Sequence, residues 1–95
     1  MRTETQNKRY NGWKNYASWN CALWIGNDMH LYFVARDCIK HANYCVDRAI
    51  SKFLDYARGE KTGDGVPYTK DNIREYFVNE MDEMMEEGYK WQNQK

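Results

Sequence analysis

The sequence predicts an all-α protein, a compact bundle of about four helices preceded by a flexible N-terminal arm. Apolar residues recur every three to four positions along most of the chain, the spacing that places side chains on one face of a helix. The single proline and the six glycines lie at or near the ends of these segments. The chain has 95 residues, 42% of them hydrophobic, which suffices for one domain with its own core and not for two. We therefore expect a basic arm at residues 1–14 and a single helical domain at residues 15–95.

The arm is predicted from its polarity and its charge. Residues 1–14 contain four cations and one acid, for a local net charge of +3, and include an Asn-Gly turn signal. Basic and aromatic side chains alternate in its second half, as in segments that bind nucleic acid. The candidate nucleic-acid-binding residues are Lys8, Arg9, Tyr10, Trp13 and Lys14. The net charge of zero for the whole chain argues against a general binder of the phosphate backbone, so this role is the alternative and not the preferred one.

Three helices are expected after the arm. The first is predicted over residues 16–26, with Asn15 or Ser18 at its N-cap. The next two apolar stripes, from Asp28 to residue 58, are in register with each other. A single helix of that length would measure about 45 Å, whereas a domain of this mass has a diameter of roughly 26 Å. We therefore expect a break at residues 41–44, with Asn43 capping the third helix.

A loop and a last helix complete the predicted fold. Residues 59–68 contain three of the six glycines and the single proline, which is typical of a loop. The last helix is expected to begin after Thr69 or Asp71. Asn72 and Glu75 fit a variant capping box at its start, and Gly88 is its predicted end.

Catalytic and metal chemistry are not expected. Cys38, His41 and Cys45 have the spacing to share a helical face, and thiolates with an imidazole can bind zinc. Cys38, however, fits the apolar stripe, where a free cysteine acts as a small buried hydrophobe, and the expected break separates the three residues. No phosphate-binding glycine loop, nucleophile elbow or His-Glu-x-x-His motif is present in the sequence. We therefore predict a non-enzymatic protein without a cofactor or a bound metal, and with reduced thiols.

The last helix is predicted to carry an acidic outer face. Residues 78–95 contain five acids and two lysines, and the acids, Glu80 included, are expected to lie in solvent off the apolar face. Like charges four residues apart cost helix stability, so a sequence that keeps them is consistent with a use of their field. We interpret this face as a docking surface for a partner protein with a basic groove, with a solubilising face as the bland alternative. The residues assigned to the docking surface are Asp82, Glu83, Glu86 and Glu87.

One stretch is more specific than a generic helix. Residues 15–28 read NYASWNCALWIGND. They resemble the signature Asn-Tyr-x-[Ser/Thr]-Trp-Asn-x-x-Leu-Trp-Ile-x-Asn-Asp of a family of small uncharacterised proteins carried by bacteriophages and mobile elements. The resemblance implies an intracellular protein made during infection or from a mobile element, and it brings no catalytic residues with it.

The motif also has a physical interpretation. Trp19 and Leu23 are expected to be buried, whereas Trp24 and Asn20 are further candidates for partner contact. From the implied phage context we expect a protein of the host cytoplasm that binds and modulates a host protein, for example an inhibitor of a bacterial defence system such as CRISPR. No stretch is apolar for long enough to span a membrane, and the aromatic content is compatible with a homodimer.

Overall fold

Residues 10–93 form four helices and no strand, which confirms the prediction of an all-α bundle. The computed structural model describes the backbone of these residues and the side chains of residues 10–87. The helices are α1 (Tyr16–Asn27), α2 (Met29–His41), α3 (Val46–Ala57) and α4 (Lys70–Asn93). Both α2 and α4 pack against all three other helices. None of the helices within residues 10–93 is long and apolar enough to cross a bilayer.

The core is built from the apolar faces of all four helices. Ile25 of α1, Ile39 of α2, Phe53 of α3 and Phe77 of α4 are fully buried. The rings of Phe53 and Phe77 meet edge to face, with their centroids 5.4 Å apart. Burying one such side chain stabilises the fold by about 1.5–3 kcal/mol. The expectation that Leu23 belongs to this core is wrong, since it is 38% exposed at the edge of the face that α1 buries.

Asn15 and Asp28 cap the first two helices. The side-chain oxygen of Asn15 accepts the backbone N–H of Ser18 at 2.9 Å, which decides between the two predicted caps of α1. The carboxylate of Asp28 accepts the backbone N–H groups of His30 and Leu31 at 2.9 and 3.2 Å, and its own N–H donates to a carbonyl of α1. Such a cap is worth about 1 kcal/mol. One residue thus ends α1 and begins α2.

The expected break between the second and third helices is confirmed, but its cap is not. Asn43 and Tyr44 have φ angles of 55° and 59°, in the left-handed region. The N–H of Tyr44 donates to the carbonyl of Ile39 at 3.0 Å and closes the end of α2. Cys45, and not Asn43, occupies the N-cap position of α3. Asparagine tolerates the left-handed conformation that the turn requires, and this explains its place there.

The loop from α3 to α4 lies where the glycines predict it. Gly59 has a φ of 78° just after α3, and Thr69 precedes α4, accepting the backbone N–H of Asn72 at 3.2 Å. The predicted capping box is therefore wrong, because Asn72 lies inside the first turn and Glu75 accepts a backbone N–H from the segment before α1. The helix also continues through Gly88 to residue 93. A glycine inside a helix costs only about 1 kcal/mol, so it need not end one.

Residues 10–14 belong to the packed structure and not to a flexible arm. Tyr10 and Trp13 exchange two backbone hydrogen bonds of 2.7 and 2.8 Å across a tight turn. The two residues at the tip of that turn, the predicted Asn-Gly pair, both have positive φ angles. The Nζ of Lys14 then bonds the carboxylate of Asp71 at 2.9 Å, at the start of α4. Residues 1–9 lie outside the described part of the chain.

Candidate functional site

A buried polar cluster holds the loop between α3 and α4 against α1. Asn20 is fully buried; its side-chain nitrogen donates to Oδ2 of Asp64 at 2.8 Å, and its oxygen accepts the Thr62 hydroxyl at 2.6 Å. The same hydroxyl accepts the backbone N–H groups of Asp64 and Val66. A buried amide needs such partners, and they leave it no access to another molecule. The expectation that Asn20 contacts a partner is therefore wrong, and its role is structural.

Trp24 covers the same loop and is 37% exposed. Its indole Nε1 donates to Oδ2 of Asp64 at 3.1 Å. The hydrogen bonds from Asn20 and then from Trp24 hold the pKa of Asp64 below its usual value. Gly63 packs against the ring, since a Cβ added there would overlap the ring atom Cη2. Part of the indole is thus used to fix the loop, and the role of Trp24 in partner contact stays a prediction.

The outer face of α4 exposes the acids that the sequence places there. The four residues that we call the acidic face are Asp82, Glu83, Glu86 and Glu87, and all are exposed. Glu87 accepts a bond of 3.0 Å from an arginine of α2. The other three form no ion pair with any residue of the part of the chain that the structure describes. Most of the negative charge on this face is therefore not paired with any cation of residues 10–87.

A partly buried ion pair joins α2 to α4. The Nε of Arg36 donates to Oε2 of Glu80 at 2.8 Å, and the two side chains are 20% and 8% exposed. The guanidinium also lies over the ring of Tyr32, 5.2 Å from its centroid. Burial raises the pKa of Glu80 although Arg36 opposes that shift. The expectation that Glu80 lies in solvent is wrong. Position 80 follows the buried Tyr76 and Phe77 by one helical turn, and this spacing was the signal that could have identified it.

A groove of about 370 Å³ runs between α1 and α4. It is aromatic and apolar on the side of α1 and acidic on the side of α4. Its main lining residues are Trp13, Trp19, Leu23, Tyr76, Glu80 and Glu83. Trp19, expected in the core, is only partly buried here. Tyr76 is 7% exposed, and its hydroxyl has no hydrogen-bond partner among the described residues. Spacing along one helix cannot reveal a groove of this kind, because its two sides belong to helices far apart in the chain.

The structure divides the predicted basic and aromatic segment. Two of its residues lie outside the described part of the chain, Lys8 and Arg9. Tyr10 is 40% exposed, and Trp13 lines the groove. Lys14 is paired with Asp71 of α4, so the charge of Lys14 is used in an ion pair within the protein. The alternative of nucleic-acid binding therefore depends on the two basic residues that precede Tyr10.

The cysteine and histidine side chains of interest do not converge. Cys38 is half-buried within α2, His41 is exposed at the end of that helix, and Cys45 follows the break. Residues 10–87 contain no group of three or more His, Cys, Asp and Glu side chains that could hold a metal ion. Burial raises the pKa of Cys21 to about 11 and also raises that of Cys38. These shifts disfavour the thiolate form that nucleophilic chemistry needs.

Comparison with known proteins places the chain in a family. No curated protein and no solved structure matches it. The model of one protein family matches residues 6–93, which include all four helices and the loop between α3 and α4. Because the match covers nearly the whole chain, the protein belongs to that family, which is described as a family of unknown function, DUF7249.

Proposed function

We propose that this protein is a non-enzymatic binding protein that docks on a basic surface of a host protein through the acidic face of α4. The observation that carries the proposal is the state of Asp82, Glu83 and Glu86. All three carboxylates are exposed, and none is paired with a cation of the described residues. Three exposed carboxylates within five residues of one helix create a local negative field in a chain whose net charge is zero.

The acidic face costs helix stability in the free protein. Asp82 and Glu86 are four residues apart, as are Glu83 and Glu87, and like charges at this spacing cost about 0.2–0.5 kcal/mol per pair. Among the described residues, a cation pairs with Glu87 alone of these four acids, through its bond to α2. A partner rich in lysine and arginine would relieve this repulsion, and the attraction between the two fields would speed their encounter.

Apolar side chains lie beside the carboxylates. Val78 is 38% exposed and Met85 is 54% exposed. They lie four residues before and three residues after Asp82, so the three side chains share one side of α4. An exposed methionine adapts its shape to the surface it meets. The acidic face thus has apolar area that a docked partner would bury.

The resemblance of residues 15–28 to phage and mobile-element proteins supports a partner in the cytoplasm of an infected cell. A groove that normally holds nucleic acid is basic, and an acidic helix would compete with nucleic acid for it. We propose that docking blocks such a groove in a host protein and that the outcome is inhibition of a bacterial defence system, for example a CRISPR effector.

Charge reversal tests the proposal directly. The double variant Asp82→Lys/Glu86→Lys should capture at least about tenfold less of a basic partner from a lysate of the bacterial host, because like-charge contacts cost several kcal/mol. The control is Asp37→Lys/Asp55→Lys, which changes the net charge by the same amount on exposed positions of α2 and α3. Far-UV circular dichroism checks that both variants are folded.

The two variants give opposite expectations. The control should capture the partner nearly as well as the unmodified protein. Unchanged capture by the α4 variant, or an equal loss in both variants, would contradict the docking role of the acidic face. Retention of an oligonucleotide that is lost in Lys8→Ala/Arg9→Ala would favour the nucleic-acid alternative instead.

A further inference from the structure

We infer that the groove between α1 and α4 receives an arginine side chain of the partner protein. The inference deepens the proposed function and rests on it for the source of that side chain, a basic protein. It goes further in two respects. It names the chemical group that is recognised, a guanidinium, and it places the recognition in a groove beside the acidic face and not on the open surface of α4.

The charge of the groove selects a cation. Glu80 and Glu83 line its side on α4, and no lysine or arginine is among the described residues that line it. Arg36 binds Glu80 from α2, so part of the charge of Glu80 is compensated. Glu83 has no such partner in the described part of the chain. An anionic group such as a phosphate would be repelled by these carboxylates.

The aromatic walls favour a guanidinium over an ammonium ion. Trp13 and Trp19 line the side opposite the carboxylates, and Tyr76 of α4 also contributes to the lining. A guanidinium is planar and weakly hydrated, and it can stack on a ring while its N–H groups bond a carboxylate. An ammonium ion is a compact and strongly hydrated charge that gains less from such walls.

Tyr76 contributes ring surface to the groove, and its hydroxyl is not exposed there. Its side chain is more than nine-tenths buried, and the hydroxyl itself is buried, with no hydrogen-bond partner among residues 10–87. Burial, followed by the charge of Glu80, raises the pKa of Tyr76, so the phenol stays neutral. The groups of the groove that can bond a guanidinium are therefore its carboxylates.

The protein already holds one guanidinium in this way. Arg36 stacks on Tyr32 at 5.2 Å and bonds Glu80 at 2.8 Å and Glu87 at 3.0 Å. An aromatic ring beside two carboxylates of α4 thus binds an arginine on the side of α2. The groove presents the same combination on the side of α1, with Trp19 as the ring and Glu83 as a carboxylate that forms no ion pair with a described residue.

The test uses a small probe and the full-length protein. N-acetyl-arginine methylamide is titrated to millimolar concentration while the indole N–H signals are followed by proton–nitrogen correlation NMR. We expect saturable shifts of the Trp13 and Trp19 signals and none of Trp24, whose indole bonds Asp64 away from the groove. The citrulline analogue, which has the same shape without the charge, should cause no saturable shift. Equal shifts with arginine and citrulline, or none with arginine, would overturn the inference.

One variant tests the binding group, and two serve as controls. Glu83→Gln should weaken arginine binding about tenfold, because it removes a charged acceptor from the groove. Tyr76→Phe should leave arginine binding and the urea midpoint nearly unchanged, since the hydroxyl is buried and has no partner in the described part of the chain. Asp82→Asn removes a charge outside the groove and should also bind arginine normally. Binding of unchanged strength in Glu83→Gln would refute the groove, and lysine shifting the signals as strongly as arginine would refute its selectivity.

Failure of this inference and failure of the proposed function give different results. If the arginine probe binds and charge reversal at Asp82 and Glu86 leaves capture of the partner unchanged, the groove stands and the acidic face does not. If charge reversal abolishes capture and the probe causes no saturable shift, docking stands and the groove inference is wrong.

Discussion

Removal of the Thr62 hydroxyl is expected to lower the stability of this protein strongly for so small a substitution. Thr62 is 5% exposed. Its hydroxyl donates to the side-chain oxygen of Asn20 at 2.6 Å and accepts two backbone N–H groups at 3.2 and 3.1 Å. Thr62→Val keeps the shape of the side chain and removes all three hydrogen bonds. The perturbation therefore isolates the hydrogen bonds from the packing.

The magnitude follows from the burial of each group that is left behind. Asn20 is fully buried, so its oxygen would lose the Thr62 hydroxyl where water cannot replace it, at a cost of about 1–3 kcal/mol. The two backbone N–H groups lie in a loop that is partly exposed and would add about 1 kcal/mol together. We expect a total loss of about 3 kcal/mol. For a domain of this size that lowers the melting temperature by roughly 12–24 °C.

Urea unfolding followed by far-UV circular dichroism measures the effect. Thr62→Ser is the matched control, since it keeps the hydroxyl and loses one buried methyl group, worth about 0.8 kcal/mol. The reasoning is refuted if Thr62→Val is within about 0.5 kcal/mol of the unmodified protein, a range typical of surface substitutions. It is also refuted if the serine variant is as unstable as the valine variant, because packing and not hydrogen bonding would then hold the loop.

Three further predictions concern stability, acid unfolding and thiol reactivity. Arg36→Met leaves Glu80 buried without its partner and should lower the free energy of unfolding in urea by about 3 kcal/mol. The double variant Arg36→Met/Glu80→Gln should recover most of that loss. No recovery would mean that the arginine acts through packing alone. Hydrogen bonds lower the pKa of Asp64 in the folded state. The contribution of Asp64 to stability is therefore present above about pH 4 and is lost as the pH falls through the lowered pKa. The urea midpoint of Asp64→Asn should accordingly fall less between pH 6 and pH 2 than that of the unmodified protein. The pKa of about 11 leaves Cys21 with roughly one thiolate per thousand molecules at pH 8. A thiol reagent should therefore label the exposed Cys45 at once and Cys21 only on unfolding. Equal labelling rates of the two cysteines in the native protein would contradict the burial of Cys21.

Much of the fold could be predicted because helix boundaries are set locally. The spacing of apolar residues predicted the number of helices, and Asn15 and Gly59 marked a start and an end that the structure confirms. The break after α2 was predicted from length alone. Its geometry was not, because asparagine suits both an N-cap and a left-handed turn, and only the bond from Tyr44 to the carbonyl of Ile39 shows which applies.

The site was less accessible to prediction than the fold. The acids of α4 lie close together in the chain, so their clustering on an exposed face was predictable, and three of them form no ion pair within the described residues. Asn20 and Glu80 were both expected near solvent and are buried, and each is hydrogen-bonded to a partner more than forty positions away, Asp64 and Arg36 respectively. From the sequence alone a polar residue is predicted to be exposed, because a partner that is distant in the chain cannot be identified without the structure.

The order of residues alone thus determines which segments are helical and which helix carries the negative charge, because these properties depend on neighbours within one or two turns. Packing of the helices decides how each one is rotated about its axis. That rotation buries Asn20 and Glu80 and exposes Leu23. It also places Trp13 and Trp19 across the groove from the carboxylates of α4. The free energy that fixes the rotation of each helix comes from contacts between residues remote in the chain, and a local sequence pattern does not reveal those contacts.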